Sequence, residues 1–188
     1  MKVKGKIIIG LTGVIFSGKS AALNIFKTLG AGVLSADNIV KELYGDPKIC
    51  AKIKKLFGTV DKQKITEAVF KNPAMREKIN ALLHPLVMKK AEEEIKKLPQ
   101  KIIVFEVPLL FEAHLEKNFD ITLAVGVNKK TQSARAAKRG LTQADFKARA
   151  AAQLNNEEKI FLSDVVIENN GSLKNLETKI KEFYKNLW

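Results

Sequence analysis

Short apolar runs and longer amphipathic stretches alternate along this chain. Five of the runs are compact and rich in β-branched residues: Lys6–Ile9, Gly32–Ser35, Ile102–Val107, Ile121–Val127 and Asp164–Glu168. Such runs read as strands buried on both faces, the habit of parallel sheets. Between them apolar residues recur at helical spacing, as at Ala22, Leu23, Phe26 and Leu29, with Gly30 at the stop. The alternation predicts an α/β fold, a five-stranded parallel sheet covered by helices on both faces. About 65 residues separate the second and third strands, far more than one crossover helix needs. That stretch is helical in pattern. Asp46-Pro47 and Asn72-Pro73 each pair a cap residue with Pro at the first helical position, and Pro85 reads as the start of a third helix. A helical insertion over about 39–98 follows, leaving a core of about 1–38 and 99–188. Thr142-Gln143-Ala144-Asp145 reads as a capping box opening a helix through Gln153. Ser172 caps a last helix with the stripe Leu173, Leu176, Ile180, Phe183 and Leu187.

Chemistry enters at the first junction. Residues Gly13-Val14-Ile15-Phe16-Ser17-Gly18-Lys19-Ser20 fit the phosphate-binding pattern G-x-x-x-x-G-K-[ST]. They lie between a strand and a helix start, where loop N–H groups and the helix dipole can cradle a phosphate. Lys19 would reach the β- and γ-phosphates, and the Ser20 hydroxyl would hold Mg²⁺. A glycine turn with an exposed lysine is the plainer reading, but it leaves the Lys-Ser pair at the helix start unexplained.

Composition then narrows the partners. The 188 residues carry a net charge of +13, yet Lys is spread over most helices, as at Lys52, Lys54, Lys55, Lys96 and Lys97. No basic run interleaves with aromatics, so a nucleic-acid groove is not supported. No apolar stretch approaches a membrane span, and the basic start is not that of a signal peptide. Cys50 is the only cysteine, which fits a reducing cytoplasm. Arginine is more telling: there are four, and Arg135, Arg139 and Arg149 fall within 15 residues. A Lys-rich chain that keeps Arg for one segment points to bidentate phosphate recognition there.

Several phosphate-loop classes fall away. Asn128-Lys129-Lys130-Thr131 lacks the carboxylate a guanine reader needs, and there is no Asp-x-x-Gly or G-x-G-x-x-G. A kinase needs an acceptor site at the carboxyl edge of the sheet. Asp37, 18 residues after Lys19, follows the second strand and could take a proton from an acceptor hydroxyl. It could equally be a helix N-cap for Ile39–Leu43.

The motifs together resemble the dephospho-coenzyme A kinase family, from Ile9 to about Gly171. Gly10-Leu11-Thr12-Gly13 with Ser17-Gly18-Lys19-Ser20 resembles its phosphate loop, and Ala36-Asp37 the second half of its Asp-Ala-Asp. Leu83-His84-Pro85, Val107-Pro108-Leu109-Leu110-Phe111-Glu112, and Gln132 with Arg135 and Arg139 follow in its order. Arg149, Gln153, Ser163-Asp164-Val165-Val166-Ile167 and Asn169 complete the match. The chain departs from the family at Val14 and Phe16 (usually Gly), Ser35 (Asp), Lys62 (Arg) and Ala21 (Thr).

The resemblance implies a P-loop kinase fold that moves the ATP γ-phosphoryl group to the ribose 3′-hydroxyl of dephospho-coenzyme A, with Mg²⁺. It implies Asp37 as base and a nucleotide site of Gly13, Val14, Ile15, Phe16, Ser17, Gly18, Lys19, Ser20, Ala21, Arg139 and Asn169. Arg135 and Arg139, on one helix face, would clamp phosphates from a lid over about 129–153; a solvated face is the alternative. Asp37, His84, Leu110 and Glu112 would meet the acceptor, although His84 also reads as a helix-junction residue and Glu112 as a brace for the lid or insertion. Glu106 or Glu112 would position the metal through water. Two rivals stay open: a kinase for a nucleoside monophosphate, and a non-catalytic nucleotide-binding relative. Phe16 poses its own question. At φ > 0 it would store strain that Gly avoids, whereas at φ < 0 its ring could turn away and pack on the lid or insertion.

Overall fold

Strands β1 (Ile7–Thr12), β2 (Gly32–Ser35), β3 (Ile102–Glu106), β4 (Ile121–Gly126) and β5 (Val165–Glu168) form one parallel sheet in the order β2-β3-β1-β4-β5. The computed structural model describes residues 1–140 and 142–187, and the side chains of all of these except 70, 71 and 148. Leu141 of the expected lid and Trp188 of the expected core lie outside the described residues.

Strands β1, β3 and β4 are buried on both faces, which is why they read as unbroken apolar runs, while edge strand β5 buries only Ile167. Successive side chains point to opposite faces. Ile8, Leu34, Ile103 and Phe105 pack on one side, and Ile9, Leu11, Val104, Leu123, Val125 and Ile167 on the other. The second face is covered by α1 (Lys19–Thr28) and α9 (Leu173–Lys185) through Ala22, Phe26, Leu176 and Ile180. The five expected strands are all present. Asp164, expected as a strand residue, instead fastens the edge: its Oδ2 accepts from Thr122 N and Oγ1, each at 2.7 Å.

The first face is covered by the long connection between β2 and β3. It forms α2 (Ala36–Leu43), α3 (Pro47–Phe57), α4 (Lys62–Lys71) and α5 (Pro73–Lys97). The side chains of Asp46, Asp61 and Asn72 accept from first-turn N–H groups of α3, α4 and α5. Pro85 does not start a helix. It lies inside α5, where its missing N–H costs one helical bond to Ala81. The helix continues because Ile79, Leu83, Val87, Ala91 and Ile95 keep one buried stripe at i, i+4 spacing across the proline.

The remaining helices are α6 (Lys129–Lys138), α7 (Gln143–Ala150) and α8 (Asn156–Leu162). Thr142 caps α7 as expected, its Oγ1 accepting from Asp145 N at 3.1 Å, but the helix ends at Ala150 rather than Gln153. Among the described residues no helix is long and apolar enough to cross a membrane. β2 and β3 lie to one side of β1 and β4 and β5 to the other. The loop after β1 therefore opens at the carboxyl edge where the winding reverses, the usual crevice for ligands in such sheets.

Candidate active site

The loop after β1 has the backbone an anion cradle needs. Gly13 (φ 148) and Gly18 (φ 104) both adopt positive φ. A Cβ at Gly13 would meet Ser17 Oγ and Val125 O at 2.7 Å, and one at Gly18 would collide with the Asn169 amide. No side chain caps α1, and no acid sits in its first turn, so the amides of Lys19, Ser20 and Ala21 face an anion site. Ser17 Oγ is buried with no partner among the described residues. These features fit a polyphosphate.

Lys19 Nζ donates to the loop's own carbonyls, Gly13 O at 2.9 Å and Val14 O at 3.1 Å. Burial pulls its pKa down to about 8; Lys159 adds to the fall, while Glu106, Asp37 and Glu112 oppose it. Glu106 ends β3 and is only 7% exposed. Its pKa is raised by burial, with Lys19 and a bond from Ser35 pulling the other way and Asp37 pushing up. Asp37 is not the cap of α2. Ser35 holds that position, and Asp37 lies in the first helical turn with its carboxylate exposed.

The loop's main chain is held from outside. Gln132 Nε2 donates to Ile15 O at 2.9 Å, and Ile15 N donates to Gln153 Oε1 at 3.1 Å. Arg135 donates through Nη1 to Phe16 O (3.2 Å) and Ser17 O (3.0 Å), and through Nη2 to Asn169 O (2.9 Å). Asn169 Nδ2 donates to Ser17 O at 2.8 Å. The Arg135 guanidinium, expected to clamp phosphates, thus spans three carbonyls, two of the loop and that of Asn169, while also lining the cavity.

One cavity of about 920 Å³ lies in front. Phosphate-loop residues Ile15 to Ala21, apart from Ser17, line one wall, and Asp37, Glu106, Arg76 and Asn80 line another. Arg135 and Lys138 on α6, Arg139 at its end and Arg149 on α7 also line it. All four arginines of the chain therefore meet at one cavity. Arg76, on α5, was not singled out by sequence; the scarcity of arginine that drew attention to the other three applies to it as well.

Three expected acceptor residues do not line this cavity. Leu110 is fully buried beside Gly10. His84 is half-buried on α5, where burial lowers its pKa. Glu112 is engaged inside the protein: Oε1 accepts from Leu154 N at 2.8 Å, and both oxygens meet Lys159 Nζ at 2.8 and 2.9 Å. Lys159 on α8, 1% exposed, also donates to Pro108 O at 2.9 Å. Burial lowers its pKa, and the bond and charge of Glu112 raise it.

A family model described as dephospho-CoA kinase matches residues 7–175. The dephospho-CoA kinase of Fusobacterium nucleatum is 36% identical over 186 residues, spanning 94% of this chain and 96% of its own. The chain belongs to the dephospho-CoA kinase family. A crystal structure of TT1252 from Thermus thermophilus superposes with a TM-score of 0.85 at 32% identity, covering 97% of this chain and 98% of that one. The dephospho-CoA kinase of Campylobacter jejuni shares the fold, with a TM-score of 0.68 at 22% identity and 96% of both chains covered. Against the dephospho-CoA kinase pattern, Phe16 is the departure with a visible geometric consequence. Its φ is 62, and its ring lies 6.2 Å from that of Phe146 with planes 29° apart. The two outcomes expected as alternatives, glycine-type φ and packing on the neighbouring helix, occur together.

Proposed function

We propose that this chain transfers the γ-phosphoryl group of ATP to the ribose 3′-hydroxyl of dephospho-coenzyme A, giving coenzyme A and ADP. One observation carries the reading within the family: a phosphate loop and an exposed carboxylate, Asp37, line the same cavity, and so do all four arginines. The bond from the 3′-oxygen to the γ-phosphorus forms as the bond from that phosphorus to the β-bridging oxygen breaks. Asp37 takes the hydroxyl proton, and ADP leaves with the bridging oxygen.

The donor is held by the backbone of residues 13–21, by the Lys19 ammonium and by Arg139. Mg²⁺ would be held by the Ser20 hydroxyl, with phosphate and water oxygens as its other ligands, and would neutralise charge between the β- and γ-phosphates. Glu106, buried at the end of β3 and lining the cavity with Lys19 and Asp37, is the carboxylate best suited to orient the ion's waters. The stretch of about 39–98 is the acceptor-binding insertion. Arg76 and Asn80 on it suit the 5′-diphosphate of the acceptor, an anion for which a guanidinium fork is the matching partner. Helices α6 and α7 form the lid. The single thiol, Cys50, fits a cytoplasmic enzyme.

ADP release measured with dephospho-coenzyme A, with AMP and with no acceptor tests the assignment. Turnover is expected only with dephospho-coenzyme A. A higher rate with AMP would make the chain a nucleoside monophosphate kinase, and ATP binding without turnover a non-catalytic relative. Asp37→Asn is expected to keep the ATP dissociation constant while kcat falls about a hundredfold or more.

A further inference from the structure

Helix α7 has little to hold it down. Among its described side chains only Phe146 and Ala150 are partly buried, and the rest are exposed. The phosphate loop is tied by polar bonds to Gln132 and Arg135 on α6 and to Gln153 beyond α7. The ring stack of Phe16 and Phe146, with centroids 6.2 Å apart, joins α7 itself to the loop. A crevice of about 280 Å³ between Val14 and Ile15 of the loop and Phe146 and Ala150 of α7 leaves that side of the helix loosely packed.

Phe16 occupies a backbone state that glycine adopts freely and other residues rarely do. A side chain there carries a conformational cost that only a contact of comparable strength offsets, and offset-stacked aromatic pairs are of that size. Arg139 lies at the carboxyl end of α6, just before α7, and Arg149 lies on α7; both line the cavity. Whatever seats α7 therefore also sets where these two guanidinium groups stand.

We propose that Phe16 and Phe146 are a positioning pair. The ring at 16 is the seat on which α7 rests, and the stack holds Arg139 and Arg149 over the phosphates of the donor nucleotide. Neither ring touches the reacting atoms. The inference rests on ATP occupying the phosphate loop. It differs from simple strain at Phe16, because strain belongs to one residue and a seat requires two.

A double-mutant cycle separates these readings. The probe is N-methylanthraniloyl-ATP, and the readout is its dissociation rate by stopped flow in wild type, Phe16→Gly, Phe146→Ala and the double variant. Phe146→Ala is expected to speed release about fivefold in the wild-type background, and to have no further effect once residue 16 is Gly. Phe146→Tyr, which keeps the ring, is expected to restore the wild-type rate. The KM for ATP should rise in Phe146→Ala while that for dephospho-coenzyme A is unchanged. An equal effect of Phe146→Ala in both backgrounds, or none in either, overturns the pair. A wild-type protein that fails to bind the probe at all instead refutes the reading of the loop as an ATP site.

Discussion

On the donor wall of the cavity, four side chains bond to the main chain of residues 15–17: Gln132, Arg135, Gln153 and Asn169. The acceptor wall is built differently. Helices α2 to α5 are held to the sheet by apolar side chains, among them Ile39, Leu43, Ile49, Ile53, Leu83 and Val87. The ion pair that joins α2 to α5, Lys90 with Glu42, is on the surface, where such pairs add little. Hydrogen bonds are directional and fix a loop to one shape, whereas apolar packing tolerates sliding of whole helices. On the proposed assignment, a phosphate of constant geometry would be met by a pre-set cradle, and the larger, flexible acceptor by the wall that can shift.

Removing the cation of the donor wall should have the largest effect. Lys19→Ala is expected to lower kcat about a thousandfold, since it deletes a preorganised charge at the transferring group. The melting temperature should not fall, because among the described residues Nζ bonds only to the loop's own carbonyls. Steady-state kinetics beside a thermal melt checks both parts. Breaking the acceptor wall should look opposite. Ile53, with no exposed surface, anchors α3, and Ile53→Ala should cost about 2–5 kcal/mol of stability in a urea titration. Its ATP dissociation constant should match wild type in the folded protein.

A smaller effect comes from pH. With burial holding Lys19 at about 8, raising pH from 7 to 9 removes its charge from the free enzyme. Bound phosphates favour the charged form, so the ATP dissociation constant should rise about tenfold over that interval. Lys19→Arg should flatten the dependence, because Arg does not deprotonate in this range. Stability without nucleotide moves the other way. The unfolded chain holds the Lys19 proton up to its ordinary 10.5, so this residue adds stability as pH climbs from about 8. Calorimetric titrations at several pH values read the first effect, and denaturant melts the second.

The walls also differ in how far they can be read from residues alone. The phosphate loop is a local device: glycines for positive φ, a lysine and a hydroxyl at a helix start, all within eight residues. Strands buried on both faces are equally plain as β-branched runs. Pro85 misleads because cap-and-proline signals are local, while the stripe from Ile79 to Ile95 that carries α5 through it spans 17 residues. The partnership of Lys159 and Glu112 joins positions 47 apart and leaves no mark on either neighbourhood. Arg76 was within reach through the rarity of arginine alone. Leu110 shows the limit of motif reasoning: it belongs to a distinctive segment, yet it is wholly buried.

The division into two walls rests most directly on two arginines and two ligands. Isothermal titration of ATP and of dephospho-coenzyme A into wild type, Arg76→Ala and Arg139→Ala measures it without catalysis. Arg76→Ala is expected to weaken dephospho-coenzyme A about tenfold and to leave ATP within about twofold, with Arg139→Ala doing the reverse. Equal weakening of both ligands by either variant, or a loss of ATP affinity in Arg76→Ala, would contradict it.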